Sequence, residues 1–365
     1  MATALENEIQ QILAAEIVPD TAVGLAQIAK LGFVQQSEKK LTVRLELAAY
    51  LGDRENRLKQ NLAQKLSSLA PELTLDLHLV TEVAKFESAG DNASVTGVKN
   101  IIAVASGKGG VGKSTTSVNL AIALAKLGAK VGLLDADIYG PSQQLMLGIA
   151  DGVRPEQHGS QQLLPIEAHG IKTMSMGYLV TEKTPMVWRG PMASGALQQM
   201  LMQTHWQDLD YLIIDMPPGT GDIQLTLAQK VPVAGAVIVT TPQDIALLDA
   251  QKGIEMFRKV NVPVLGIVEN MAVHICGECG HAEHIFGEGG GDRIAGEYQV
   301  PLLGALPLSL AIRQQSDSGE PIVAAQPESE AAALYLQAAL QMSLSLAERT
   351  AKTPSAVPNI SIEND

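Results

Sequence analysis

The 365-residue sequence predicts an α/β fold: a mostly parallel sheet covered by helices, preceded by a small α/β domain. The first observation is a set of short apolar runs that recur between helical stretches from Val98 onward: IIAVAS, VGLLDAD, IKTMSMG, YLIIDMPP, GAVIVTTP, VLGIVEN and LLGALP. Strands that are apolar without alternation are buried on both faces, as in a parallel sheet with helices above and below. The second observation is a different texture in residues 1–85. There LENEIQQILAA has helical periodicity and KKLTVRLELAAY alternates like a half-buried strand. RENRLKQNLAQKLSSLA is an amphipathic helix, and LTLDLHLV is again a strand. The polar, glycine-bearing FESAGDNASVTG marks a linker over 86–97. The main domain is expected over 98–348. The proline-broken polar segment 349–365 is expected to be a disordered tail.

Composition narrows the function classes. At 46% hydrophobic the chain can build a sizeable core, and at 3% aromatic that core must be Ile, Leu, Val and Ala. A net charge of −13, from 39 acidic and 26 basic residues, repels nucleic acid and anionic lipid unless basic residues cluster, and they do not. No apolar stretch is long enough to span a membrane, and MATALENEIQ lacks the basic start and apolar run of a secretory signal. The expectation is a cytoplasmic protein with neither nucleic acid nor membrane as partner. Both cysteines sit in CGEC, which excludes a disulfide framework. No internal repeat is visible.

The strongest motif is Gly107-x4-Gly112-Lys113-Ser114, a phosphate-loop pattern following the strand Ile101–Ala105 and opening the helix Thr115–Leu127. Glycines let backbone N–H groups face phosphate, and the helix N-terminus adds partial positive charge. The segment Gly107, Lys108, Gly109, Gly110, Val111, Gly112, Lys113, Ser114 and Thr115 is therefore expected to bind ATP. Lys113 should reach the β and γ phosphates and the Ser114 hydroxyl should ligate Mg2+. Lys108 lies where the loop leaves its strand; from spacing alone it reads as a solvated lysine. Asp135 and Asp137 in VGLLDADIYGPS and Asp215 in YLIIDMPPGTGD stand at strand C-termini, where ligands of open α/β sheets bind. A carboxylate there can hold Mg2+, usually through water, orient an attacking water, or merely cap a turn.

Cys276-Gly-Glu-Cys279 puts two thiolates on one turn, a spacing that suits zinc, an iron–sulfur cluster or redox exchange. Zinc could recruit His274, His281 or His284 within one chain. A [4Fe–4S] cluster takes four thiolates, and a symmetric homodimer supplies the second pair.

KGGVGKST resembles the deviant phosphate loop of the MinD/ParA/nitrogenase-iron-protein ATPases, which belong to the SIMIBI class of P-loop NTPases. The resemblance implies that Lys108 crosses a dimer interface to the partner's nucleotide, like an arginine finger. It also implies that Asp137 is the switch I carboxylate that positions water. By the same resemblance Pro217–Asp222 is switch II, and Asn270 in GIVENM recognises adenine. Together with DADIYGPS, IDMPPGTGD and the NM-then-CxxC run, the loop is similar to the Mrp/ApbC iron–sulfur cluster carriers over about residues 95–345. That implies an ATP-hydrolysing homodimer holding a bridging [4Fe–4S] cluster on Cys276 and Cys279. It would receive the cluster from an upstream donor and pass it to apo-proteins. Residues 1–85 more weakly resemble the MIP18-like domain often fused ahead of it; its DPE motif gives way here to IVPDTA, and the segment has no cysteine. A zinc-stabilised regulatory ATPase and a partition-type ATPase are the alternatives. The latter would want basic surface that the acidic composition does not supply.

Overall fold

The computed structural model describes residues 2–87, 94–159, 162–179 and 190–352, which form two compact units. Of the described residues, the first unit comprises 2–49, 53–84 and 344–352; the second comprises Tyr50–Gly52 and those between 85 and 343. In the first, α1 (Ala2–Ala15) and α2 (Leu25–Ile28) precede β1 (Ala29–Gln36) and β2 (Lys40–Leu47). Then α3 (Arg54–Ser67) leads to β3 (Thr74–Thr81). The sheet order is β1-β2-β3, with β1 antiparallel to β2 and β2 parallel to β3. Strand β2 alternates cleanly, burying Leu41, Val43, Leu45 and Leu47, and α3, which packs on β3, buries Leu58, Leu62 and Leu66. The strand β1 is an addition to the two strands read from the sequence. It is an edge strand with no fully buried residue, so its sequence AKLGFVQQ carries no burial pattern to read.

The second unit begins with β4 (Val98–Ala105), α4 (Lys113–Leu127), β5 (Val131–Asp135) and α5 (Gln143–Met146). A small hairpin, β6 (Gln157–His158) and β7 (Gln162–Leu163), precedes β8 (Ile166–Ala168), β9 (Ile171–Ser175) and α6 (Gly190–Gln203). Next come β10 (Leu209–Asp215), α7 (Asp222–Lys230), β11 (Val233–Thr240), α8 (Asp244–Lys259) and β12 (Val264–Glu269). A second hairpin, β13 (His274–Ile275) and β14 (Ala282–Glu283), is followed by α9 (Gly290–Tyr298) and β15 (Leu302–Ala305). The helices α10 (Leu310–Asp317), α11 (Ile322–Ala325) and α12 (Glu330–Lys352) end the described chain. Helix α12 therefore passes residue 349, where the tail is expected to begin; residues 353–365 of that tail, and 88–93 of the expected linker, lie outside the described residues.

The eight-stranded sheet has the order β15-β12-β11-β4-β10-β5-β9-β8. Every neighbouring pair is parallel except β8 with β9 at one edge. Each of the apolar runs read from the sequence becomes one of the parallel strands. The central strands β10 and β11 are buried at every position, which explains their lack of alternation. Helix α4 is buried along most of its length, with Val118, Leu120, Ala121, Ile122 and Ala123 inaccessible. The sheet order matters for function. It sets β4 between β10 and β11 and places β5 beyond β10, so the loop after β4 lies among several strand C-termini.

Candidate functional site

The loop after β4 is shaped by what presses on it. Gly110 and Gly112 both have φ of 81°, a left-handed conformation that favours glycine, and Gly112 is the N-cap of α4. A Cβ on Gly112 would lie 2.1 Å from the Asn270 side-chain nitrogen, and one on Gly107 would lie 2.1 Å from the Asp249 carbonyl oxygen. Val111 is buried and its carbonyl accepts from Asn270 Nδ2 at 2.9 Å. Asn270 thus braces the loop backbone from the β12 side; the adenine contact expected of it is a separate role that this hydrogen bond does not address. Gly109 is exposed, while Ser114 and Thr115 open α4 half-buried.

The two lysines of the loop turn to different partners. Lys113 is buried, its Nζ 2.5 Å from Asp215 Oδ1 and 3.2 Å from Ser114 Oγ. Lys108 is half-buried, with Nζ 3.5 Å from Gln243 Oε1 at the start of α8. The register that pairs Asp215 with Asp135 across β10 and β5 sets two buried carboxylates side by side. Asp215 accepts from Lys113 and Ser117 on Oδ1 and from Gln143 Nε2 at 2.9 Å on Oδ2. Asp135 takes the Asp137 N–H on Oδ1 and the N–H groups of Ser142 and Gln143 plus the Ser175 hydroxyl on Oδ2. Burial and the neighbouring Asp215 charge push the Asp135 carboxyl above the ordinary aspartate range. Burial also raises Asp137, which is half-buried, against the lowering pull of Lys113. Oxygen donors with excess negative charge beside a phosphate loop suit a hard divalent cation such as Mg2+. Asp135, like Asp215, has both oxygens engaged, and its bonds to the Asp137, Ser142 and Gln143 N–H groups tie the 137–143 turn to the end of β5. The segment after β10 lies across the loop: Gly219 N–H donates to the Ser106 carbonyl at 3.1 Å, and Gln224 Nε2 donates to the Pro217 carbonyl. Sequence reading missed Gln143 and Gln243, since a lone glutamine carries no spacing signal.

The cysteines follow β13. Cys276 N–H donates to the His281 carbonyl and Gly280 N–H to the Cys276 carbonyl, each at 2.9 Å, which closes the turn. The backbone N–H groups of Cys279 and then Glu278 hold the Cys276 thiol below its ordinary pKa. Cys276 is partly exposed and Cys279 exposed. Two histidines of the zinc alternative engage backbone carbonyls through Nδ1: His274 at 3.1 Å from Leu308 and His284 at 2.7 Å from Ala272. Among the described residues, no group of three or more His, Cys, Asp or Glu side chains gathers to hold a metal ion. No described helix is long and apolar enough to cross a membrane.

A glycine loop capping a buried helix, with a lysine answering a strand-end aspartate, defines a P-loop nucleoside triphosphatase on a parallel α/β sheet. Residues 97–343 match the ParA family model described as NUBPL iron-transfer P-loop NTPase, and the chain belongs to that family of ATPases. It is 61% identical over 279 residues to the iron-sulfur cluster carrier protein of Pseudomonas fragi, covering 76% of this chain and 97% of that one. It is 49% identical over 352 residues to the Haemophilus influenzae protein of the same name, covering 96% and 95%. Among solved structures it is similar to a nucleotide-binding protein of Archaeoglobus fulgidus in complex with ADP. That match has a TM-score of 0.55 and 39% identity, covering 62% of this chain and 88% of that one.

Proposed function

We propose that this chain is a cytoplasmic, Mg2+-dependent ATPase that binds a [4Fe–4S] cluster between two copies of itself. It takes the cluster from an upstream donor and passes it to apo-proteins. The observation that carries the reading is the CGEC turn: two thiols on an exposed hairpin, one with its thiolate favoured by backbone N–H groups, and no third ligand gathered beside them among the described residues. One chain thus offers half of the ligands a four-iron cube takes. The names of the relatives support the cargo.

The residues divide the work as follows. Lys113 exchanges Asp215 for the β and γ phosphates. Ser114, Asp135, Asp137 and Asp215 would hold Mg2+, which supplies charge neutralisation on the phosphates when bound. Asp137 orients the attacking water. Lys108, set outside its own pocket on Gln243, acts on the nucleotide of the second copy. Support for that pairing comes from the surface nearby. The start of α9, which follows the hairpin, packs on α8, so that a Cβ on Gly290 would lie 2.7 Å from a Leu247 methyl. Ile245 and Leu248 of α8, and Ile275 and Ile285 of the hairpin region, are exposed apolar groups on these same elements.

Anaerobic reconstitution with iron and sulfide tests the reading. The expected result is visible absorbance that appears together with a dimer and is lost in Cys276→Ala and in Cys279→Ala. His274→Ala, His281→Ala and His284→Ala should have small effects. One zinc per chain with strong histidine dependence would overturn it, as would a four-iron cluster in a monomer.

A further inference from the structure

Gln143 is almost inaccessible, 1% exposed, and joins three parts of the nucleotide site. Its backbone N–H donates to Asp135 Oδ2 at 3.1 Å. Its Nε2 donates to Asp215 Oδ2 at 2.9 Å and to the Ser114 carbonyl at 3.1 Å. These two acceptors settle which way the amide faces, since a flipped amide would set Oε1 against a carboxylate and a carbonyl. Oε1 therefore points away from them, and it is buried without a hydrogen-bond partner among the described residues. A buried amide oxygen without a donor is costly and rare, so a donor is expected from outside the chain.

The surroundings say which donor. Asp135 is occupied by the donors already named, and Asp215 by Lys113, Ser117 and Gln143 itself. Mg2+ at such sites keeps several of its waters and binds through one or two carboxylates. Those waters are polarised donors that need acceptors. We propose that Gln143 is a positioning residue for hydrated Mg2+: Nε2 holds Asp215 and the phosphate loop in register, and Oε1 accepts a hydrogen bond from a metal-bound water. The inference rests on the nucleotide-site reading above and adds to it a residue without charge or metal-ligand character.

The test is the Mg2+ dependence of nucleotide affinity in the full chain, read with a fluorescent ATP analogue in Mg2+ and in EDTA. The ratio of the two Kd values cancels any general loss of binding. Gln143→Leu removes donor and acceptor and should shrink the ratio roughly tenfold, the scale of one hydrogen bond to a charged group. Gln143→Glu removes the donor but keeps an acceptor and should leave the ratio at or above that of the wild type. A Gln143→Leu ratio within twofold of wild type overturns the inference, as does an equal fall in both variants, which would make Gln143 a tether alone. Should Gln143→Leu not fold, Gln143→Glu decides, because a mere tether requires its ratio to fall. Wild-type affinity that ignores Mg2+ would instead overturn the site reading, and this inference with it.

Discussion

Lys113→Met keeps the aliphatic stem of the loop lysine and removes the ammonium that faces Asp215. Both partners are buried and their charged atoms are 2.5 Å apart. Removing one member of such a pair costs about 3–5 kcal/mol, because the other charge stays buried. Ser117 and Gln143 still donate to Asp215, so the lower end, about 3 kcal/mol, is the expected loss. At about 2–4 °C per kcal/mol for a unit of this size, melting should fall by about 6–12 °C. The loss should also depend on pH. The Lys113 charge restrains the Asp135 and Asp137 carboxyls, which burial already raises, so without it both rise further. A carboxyl with a raised folded pKa favours the fold while protonated, and that stability is lost as pH rises through the folded value. The deficit of Lys113→Met should therefore grow as pH rises through and beyond the wild-type Asp135 value of about 7. The assay is thermal melting of nucleotide-free protein across that range, with Lys113→Met/Asp215→Asn as the companion. Removing both charges leaves no ion unpaired, and should recover much of the stability without restoring ATP hydrolysis. An unchanged melting temperature in Lys113→Met at every pH would refute the reasoning.

Three other outcomes follow from the same geometry. Gly110→Ala meets open space and should cost only the left-handed strain, about 1–2 kcal/mol. Gly112→Ala also drives a Cβ into Asn270 and should lose nucleotide binding in a direct titration, so equal tolerance of the two changes would count against the bracing role of Asn270. Lys108→Ala and Asp137→Ala should each lose hydrolysis alone and regain part of it when mixed, because one site of a mixed dimer combines both intact groups; a mixture that stays inactive speaks against action across an interface. If Asp137 orients water as proposed it must be ionised, and burial raises it, so the acid limb of kcat/KM should lie above the range of an exposed aspartate. Activity is present above that value and lost as pH falls through it, and a limb at an ordinary carboxylate pKa would remove Asp137 from the role.

What the sequence by itself determined is local. Unbroken apolar runs located the seven parallel strands of the eight-stranded sheet, because in its central strands burial on both faces leaves no polar position to mask them. The spacing of Gly107, Gly112 and Lys113 placed the phosphate loop, because its glycines answer to backbone conformation and close approach at the loop itself. The aspartates could be assigned to strand ends but not to one another. Strand order and register decided that Asp215 lies beside Asp135 and within reach of Lys113, and these depend on crossovers between residues a hundred positions apart. The same long-range pairing brought Asn270 against Val111 and Gln143 between Ser114 and Asp215. Neutral amides have no periodicity and no ligand spacing, so only the folded chain could show what they touch. Strand β1 escaped for the opposite reason: an exposed edge asks little of its side chains, and its sequence keeps no record of the fold.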